Sequence, residues 1–355
     1  MTDATRDGSL DPGERAGPPT IRDVADRAGV STATVSRVLA GIGKPKPETA
    51  AAVMVAVGEL GYRPSGVARS LRMRRTRTLG LIVTDIQNPF FPELVQAADD
   101  AARNTGYSIL LGSAAYDEQR AMHYLDLMVD RRVDGMIIAS SQLSEASWQW
   151  LLASPVPVVV VNAEPAGLPV TVITADNRGG AELATNHLVG LGHRHIAFIA
   201  GPSSYTPAAA RVDGFRHACA AAGLAPEHTP IVVGDGLFEG GEAGVIELLA
   251  AGTEFTAIAC HNDVTAIGAL RALRAAGRRV PTDVSVIGCD DIAAASWVSP
   301  TLTTVAQQKA EMGRLAVERL AAALDDPDHV AAAETIRLPM QLCARESTGP
   351  APARP

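Results

Sequence analysis

Residues 20–41, TIRDVADRAGVSTATVSRVLAG, decide how the chain is read. Thr20 suits the cap of a helix whose apolar residues Ile21, Val24, Ala25 and Ala28 follow i, i+3, i+4, i+7 spacing. Gly29 then ends it, as a residue free to take positive φ does. Ser31 is a good N-cap for a second helix with Val35, Val38 and Leu39 turned inward. Two short helices joined by a turn containing glycine make a helix-turn-helix. A third helix fits PETAAAVMVAVGELG (47–61), with Pro47 in its first turn and Gly61 at its end.

With that triad inward, Thr32, Ala33, Ser36 and Arg37 are free to face outward, and Ala33 and Arg37, four apart, share a face. Residues at the N-terminal end of such a helix reach base edges in the major groove of DNA. Arg37 can pair bidentately with guanine, while Ala33 and the Thr32 methyl can pack on thymine methyls. Ser31, Thr34 and Ser36 suit phosphate contacts, which position a protein without specifying sequence. An ordinary three-helix bundle would fit the same apolar pattern, so the neighbouring sequence has to decide.

Charge and the next segment decide it. Residues 20–78 hold eleven Arg and Lys against four acids, a net +7, on a chain of 355 residues whose total is −8. A basic module on an acidic body points to a polyanion as the module's partner. RPSGVARSLRMRRTRT (63–78) offers Ser65 as a cap, then Val67, Ala68 and Leu71 at helical spacing among arginines. Alone it is too short and too charged to be a stable helix. It suits a segment that folds on DNA, with Leu71 as an apolar wedge between base steps of the minor groove.

TIRDVADRAGVSTATVSRVLAG followed by VGELGYRPSGVARSLR (57–72) closely resembles the DNA-binding head and hinge of LacI/GalR-family transcription regulators, and the resemblance runs on to LPMQLCARESTGP (338–350). It implies a homodimer on a pseudo-palindromic, double-stranded operator, with Thr32, Ala33 and Arg37 at the base-reading positions. It also implies paired hinge helices that insert Leu71 at the operator's centre. The expected function is a transcriptional regulator, most often a repressor, controlled by a small-molecule effector such as a sugar.

From Leu79 onward short apolar runs alternate with helical stretches. LGLIVTD (79–85), YSILLGS (107–113), GMIIAS (135–140), VPVVVVN (156–162) and VTVITAD (170–176) read as buried strands. HIAFIAG (195–201), PIVVGD (230–235), TAIAC (256–260) and VSVIGCD (284–290) form a second set. Such alternation means βαβ units on parallel sheets, and two sets mean two α/β lobes with a ligand cleft beyond the carboxyl ends of the strands. The resemblance implies a periplasmic-binding-protein-like core with three crossovers between the lobes. The expected divisions are a leader (1–19), the head (20–64), the hinge (65–78), the core (79–347) and a tail (348–355). Within the core, the first lobe takes 79–176 and 306–330, and the second takes 177–303 and 333–347.

Several residues stand just past strand ends. Phe90 and Phe91, in NPFFP, fall at the cleft mouth; Asn162 ends its strand; Arg211 lies in GPSSYTPAAARVDGF; Asn262 and Asp263 follow TAIAC; Asp290 and Asp291 close VSVIGCD. The resemblance implies that the matching arginine, asparagine and first aspartate of that last pair hydrogen-bond the effector. The set suits a polyhydroxylated ligand: Arg211 donates in a planar fork, Asp290 accepts, and Asn162 and Asn262 do both. Asp263 and Asp291 are each equally well explained as caps of the helices that follow them. Many family members carry an aromatic directly after the Gly-Asp turn, where this chain has Gly236. Phe238, Trp297, Tyr205 or Phe90 would have to supply a flat surface.

Other classes are disfavoured. The pair His193 and His195, two apart at the start of a strand, would point to opposite faces and not hold a metal together. No GxxxxGK[ST], GxSxG or HExxH occurs, so neither an enzyme nor a cofactor is expected. Four scattered cysteines read as free thiols of a reducing compartment. The first residues lack the basic start and apolar run of a signal peptide, and no run is long enough to span a bilayer, so a cytoplasmic protein is expected. No heptad run accompanies ARESTGPAPARP, so a tetramer built on a terminal coiled coil is not expected.

Overall fold

A computed structural model describes residues 18–43, 45–63, 75–139, 143–165, 167–203, 205–325 and 333–353. Val67, Ala68 and Leu71 of the expected hinge, their cap Ser65 and most of the leader lie outside the described residues. The chain divides into two compact units, one ending at Thr76 and the other beginning at Arg77.

The first unit holds α1 (Ile21–Ala28), α2 (Thr32–Ala40) and α3 (Pro47–Leu60). Thr20 and Asp23 close a reciprocal capping box, the Thr20 N–H donating to the Asp23 carboxylate at 2.8 Å. Gly29 takes φ +65° and turns the chain towards Ser31, whose hydroxyl accepts from the Thr34 N–H at 3.2 Å. Val24, Ala25, Val35, Val53 and Ala56 form the core, with Ile21, Val38 and Leu39 packed around it. Three such short helices hold one another by burying these residues, since none is long enough to be stable alone.

The second unit contains two six-stranded sheets, in the orders β11-β5-β4-β3-β1-β2 and β12-β10-β9-β8-β6-β7. The first sheet is built from β1 (Thr78–Val83), β2 (Ser108–Ser113), β3 (Gly135–Ala139), β4 (Val158–Val161) and β5 (Thr171–Ala175), linked through α4 (Phe90–Asn104), α5 (Glu118–Asp130) and α6 (Glu145–Ala153). The second is built from β6 (Ile196–Ala200), β7 (Ile231–Val233), β8 (Ala257–Cys260), β9 (Ser285–Asp290) and β10 (Thr303–Ala306), with α7 (Asn177–Gly190) leading in and α8 (Thr206–Ala221), α9 (Phe238–Ala250) and α10 (Asp263–Ala275) between strands. These strands pair in parallel, and GMIIA of β3 is buried along its whole length, as strands covered on both faces by helices must be.

Three crossings join the lobes. The chain leaves the first sheet after β5 and returns after β10 through α11 (Lys309–Asp325), which packs along α4. A Cβ at Gly313 would lie 2.3 Å from the Leu94 carbonyl oxygen, so glycine is required where these two helices meet. β11 (Thr335–Leu338) then pairs with β5, with Thr335 opposite Val172, before β12 (Gln341–Cys343) crosses back to lie antiparallel to β10. This corrects the expected lobe limits. Residues 335–338 belong to the first lobe, not the second, and the second lobe runs on through Ala306. TIRL alternates half-buried and exposed positions, as an edge strand does, and carries no long apolar run to announce it. No helix among the described residues is long and apolar enough to cross a membrane.

Candidate functional site

In the first unit α2 presents Ser31, Thr32, Ala33 and Arg37 to solvent, with Thr34 and Ser36 half-buried and Val35 fully inside. The burial follows from the i, i+3, i+4 placement of Val35, Val38 and Leu39. Among the described residues Arg37 makes no ion pair, whereas Arg27 is tied to Glu59 at 2.6 Å. The free N–H groups and the positive end of the helix dipole lie at the Thr32 end, where a phosphate would be attracted. The Ser31 hydroxyl also lies 3.0 Å from that of Thr34.

In the second unit a cavity of about 50 Å³ opens between the lobes at the carboxyl ends of β1, β4, β6, β8, β9 and β10. Phe90 and Phe91, at the start of α4, line it from the first lobe as a buried edge-to-face pair with ring centres 5.1 Å apart. Asn162, just past β4, donates its amide to the Tyr205 hydroxyl at 2.8 Å. From the second lobe come Arg211 of α8, His261 after β8, Asp290 at the end of β9 and Gln307 after β10.

Arg211 is held on three sides. Its Nε donates to Asn177 Oδ1 at 2.9 Å, its Nη1 donates to the His261 carbonyl, and its Nη2 faces Asp290 Oδ1 at 3.6 Å. Asp290 Oδ1 also accepts from Gln307 Nε2 at 2.6 Å, and Lys309 donates to the backbone carbonyls of Asp290 and Asp291 at 2.6 and 3.0 Å. Burial pushes the Asp290 carboxyl above the ordinary range, with Arg211, Gln307 and Lys309 pulling the other way. Burial, reinforced by Arg211, holds His261 well below the usual imidazole range, so its ring is neutral. Asn162 Oδ1, His261 Nδ1 and Gln307 Oε1 are buried with no hydrogen-bond partner.

The expected site residues divide accordingly. Phe90, Phe91, Asn162, Arg211, Asn262 and Asp290 come together around one cavity. The Asn262 amide is already engaged: its carbonyl caps α10 by accepting from Thr265 N–H, and its nitrogen donates to the Gly236 carbonyl, both at 2.8 Å. Phe238 and Trp297 do not reach the cavity. Phe238 starts α9 and lies under the Arg271 guanidinium, 5.5 Å from its ring centre, while Trp297 is 78% exposed after the short turn at Ala293–Ser296. Asp263 and Asp291 do not cap helices either. Asp263, fully buried, accepts from the Ile292 N–H at 2.9 Å and from the Thr304 hydroxyl, while Asp291 pairs with Arg345 at 2.6 Å.

His261, Gln307, Tyr116 and Asn177 were not foreseen as parts of this site. His261 carries a usable signal, since it directly follows the apolar strand AIAC as Asn162 follows VVVV, whereas Gln307 follows TTVA, whose threonines announce no apolar run. His193 and His195 both precede β6. His193 is buried, with Nδ1 2.9 Å from the Thr256 hydroxyl and Nε2 3.0 Å from that of Ser285, which explains it without a metal. Among the described residues no cluster of three metal-ligating side chains occurs.

A family model described as "Bacterial regulatory proteins, lacI family" matches residues 20–65, and one described as "Periplasmic binding protein-like domain" matches residues 185–348. The ribose operon repressor of Escherichia coli K12 is 38% identical over 309 residues, covering 87% of this chain and 94% of that protein. Among solved structures, the lac repressor dimer bound to operator and the anti-inducer ONPF superposes with a TM-score of 0.84 at 29% identity, covering 94% of this chain and 100% of that one. A regulator of the same family from Enterococcus faecium with bound ribose gives 0.70 at 30% identity, covering 77% of this chain and 99% of that one.

Proposed function

The chain belongs to the LacI family of bacterial regulatory proteins, and on that premise we propose that it is a cytoplasmic repressor whose hold on DNA is set by a neutral sugar. Two copies place their heads on a pseudo-palindromic operator, each α2 in a major groove. Thr32, Ala33 and Arg37 read base edges there, and Ser31, Thr34 and Ser36 hold the backbone. Val67, Ala68 and Leu71 wedge the minor groove between the half-sites, where pyrimidine–purine steps deform most easily.

One observation carries the effector reading: three residues that line the cavity, Asn162, His261 and Gln307, each carry a buried polar atom (Oδ1, Nδ1 and Oε1) without a hydrogen-bond partner. Each such group costs about 1–3 kcal/mol, a cost that ligand hydroxyls would relieve. Charge narrows the class. Arg211 is offset by Asp290, and Asp235 adds a further acid to the lining, so no surplus cation is left for a phosphate. A cavity walled by Phe90 and Phe91 on one side and by donors and acceptors on the other matches the apolar face and the hydroxyls of a monosaccharide. The names of the ribose operon repressor and of the ribose-bound E. faecium structure support the same class. Because Asn162 and Phe90 come from one lobe and Arg211 and Asp290 from the other, a bound sugar favours one lobe arrangement, and that differential affinity sets the coupling to DNA.

Thermal unfolding of the full-length protein tests this against D-ribose and other monosaccharides, ribose 5-phosphate and purine bases. A neutral monosaccharide at about 100 times its Kd should stabilise by about 2.7 kcal/mol. A response to the phosphate or the bases alone would overturn the sugar reading. Selection from random duplexes should yield a two-fold-symmetric site, and failure to enrich one would overturn the operator reading.

A further inference from the structure

His261 follows β8 directly, is 3% exposed, and has its ring wedged in place. A Cβ at Gly201 would come within 2.6 Å of the imidazole Cδ2, so the ring occupies space that only a glycine leaves. Gly236, at φ +80°, would bring a Cβ to 3.5 Å of the same atom, and Tyr205 closes the ring in edge-on at 5.9 Å between centres. The main chain is occupied as well: the His261 N–H donates to the Ile199 carbonyl at 2.8 Å, and its own carbonyl accepts from Arg211. The backbone therefore positions Arg211, while the imidazole Nδ1 is left without a hydrogen-bond partner.

The other two unpartnered atoms belong to primary amides, which can turn about their last bond and exchange a carbonyl for an NH₂. The imidazole has no such freedom in its cradle. A neutral ring offers one donor and one acceptor at fixed points.

We propose that His261 is a specificity-determining residue of the cavity, hydrogen-bonding one particular hydroxyl of the bound sugar and rejecting sugars in which that hydroxyl is missing or inverted. The proposal rests on the sugar reading above. A hydroxyl deleted from the ligand would leave the ring nitrogen buried and unpaired, which is how a site built for a hydroxyl discriminates against its absence.

Isothermal titration calorimetry of the full-length wild type, His261→Asn and His261→Ala tests it, with D-ribose, its monodeoxy derivatives and its epimers as probes. The wild type should bind D-ribose and lose about 10-fold or more in affinity for one deoxy derivative. His261→Ala should bind D-ribose about 10-fold more weakly, yet bind that one derivative as the wild type does. His261→Asn should recover part of the preference. Uniform weakening of all the sugars by His261→Ala would assign the ring a structural role and overturn the proposal, as would no change at all. Should the wild type bind neither these sugars nor any other monosaccharide of the thermal-unfolding panel, the sugar reading itself fails and this proposal with it. That result differs from the others because no preference exists to be altered.

Discussion

Arg211 Nη2 and Asp290 Oδ1 face each other at 3.6 Å with 4% and 5% of their side chains exposed. The separation is too long for a hydrogen bond, so their attraction is electrostatic and each finds its closer partners elsewhere. Arg211 is fixed by Asn177 and the His261 carbonyl, and Asp290 by Gln307. Two opposite charges are thus held apart by their supports, and both residues line the cavity.

Asp290→Asn removes one of those charges while keeping an acceptor for Gln307. Arg211 is then buried without its counter-charge, and the ligand loses an ionised acceptor. The expected outcome is loss of the sugar response, with ligand-free stability lowered by about 1–3 kcal/mol. Sugar titrations and urea unfolding check both. Wild-type sugar affinity in this variant would give Asp290 a purely structural role.

Lys309→Met addresses the turn that carries Asp290. Asp290 and Asp291 take φ of 124° and 54°, conformations that non-glycine residues rarely hold unless fixed from outside. Lys309, its side chain 3% exposed, fixes them through their carbonyls and pairs with Glu93 at 3.2 Å. Methionine keeps the length but leaves both carbonyls without this donor. Destabilisation of about 2–4 kcal/mol in urea unfolding is expected, together with weakened sugar binding. A change below about 0.5 kcal/mol would show that the turn is held by something else.

What the sequence revealed of this site, and what it hid, follows from the range of each interaction. Strands and helix ends are local: VPVVVVN announces both a buried strand and Asn162 at its end, and Thr20, Gly29 and Ser31 announce their helices. Arg211 and Asp290 were legible through resemblance, but their 3.6 Å approach joins α8 to β9 and no spacing encodes it. Phe238 misled because an aromatic two residues past Gly236 looked able to replace one at that position, whereas the turn carries it away to pack on Arg271. Trp297 misled through its type alone. His261 was passed over beside Asn262, although Asn262 caps the helix and His261 keeps an unpaired nitrogen.

Asp263 gives a pH dependence of stability. Burial and the neighbouring Asp290 raise its carboxyl from an ordinary 3.8 to about 7 in the folded protein. The folded state therefore binds more protons than the unfolded chain between those values, and this contribution to stability falls as pH rises from about 4 to about 7. Below that window it is fully present; above it, it is lost. Asp263→Asn should accordingly compare better with the wild type at pH 8 than at pH 5, as measured by urea unfolding at each pH. Histidines that burial holds neutral, among them His193 and His261, act in the opposite sense, costing stability as pH falls below about 6.5. The difference between wild type and variant cancels their contribution. A difference that does not change with pH would mean that Asp263 is ionised in the folded protein throughout.

Arg37→Ala tests the head. Arg37 is exposed on α2, four residues from Ala33 on the same face, and among the described residues no acid holds it. A bidentate contact to guanine would cost about 1–3 kcal/mol when lost and relax selection at one position in each half-site. Fluorescence anisotropy against the selected operator and against random duplexes separates the possibilities. If Arg37 reads a base, operator affinity falls while random-DNA affinity changes little. If it only holds phosphate, both fall together and the salt slope shrinks by about one unit. Equal loss on both DNAs would therefore move Arg37 from the base edge to the backbone and leave Thr32 and Ala33 to carry the specificity of α2.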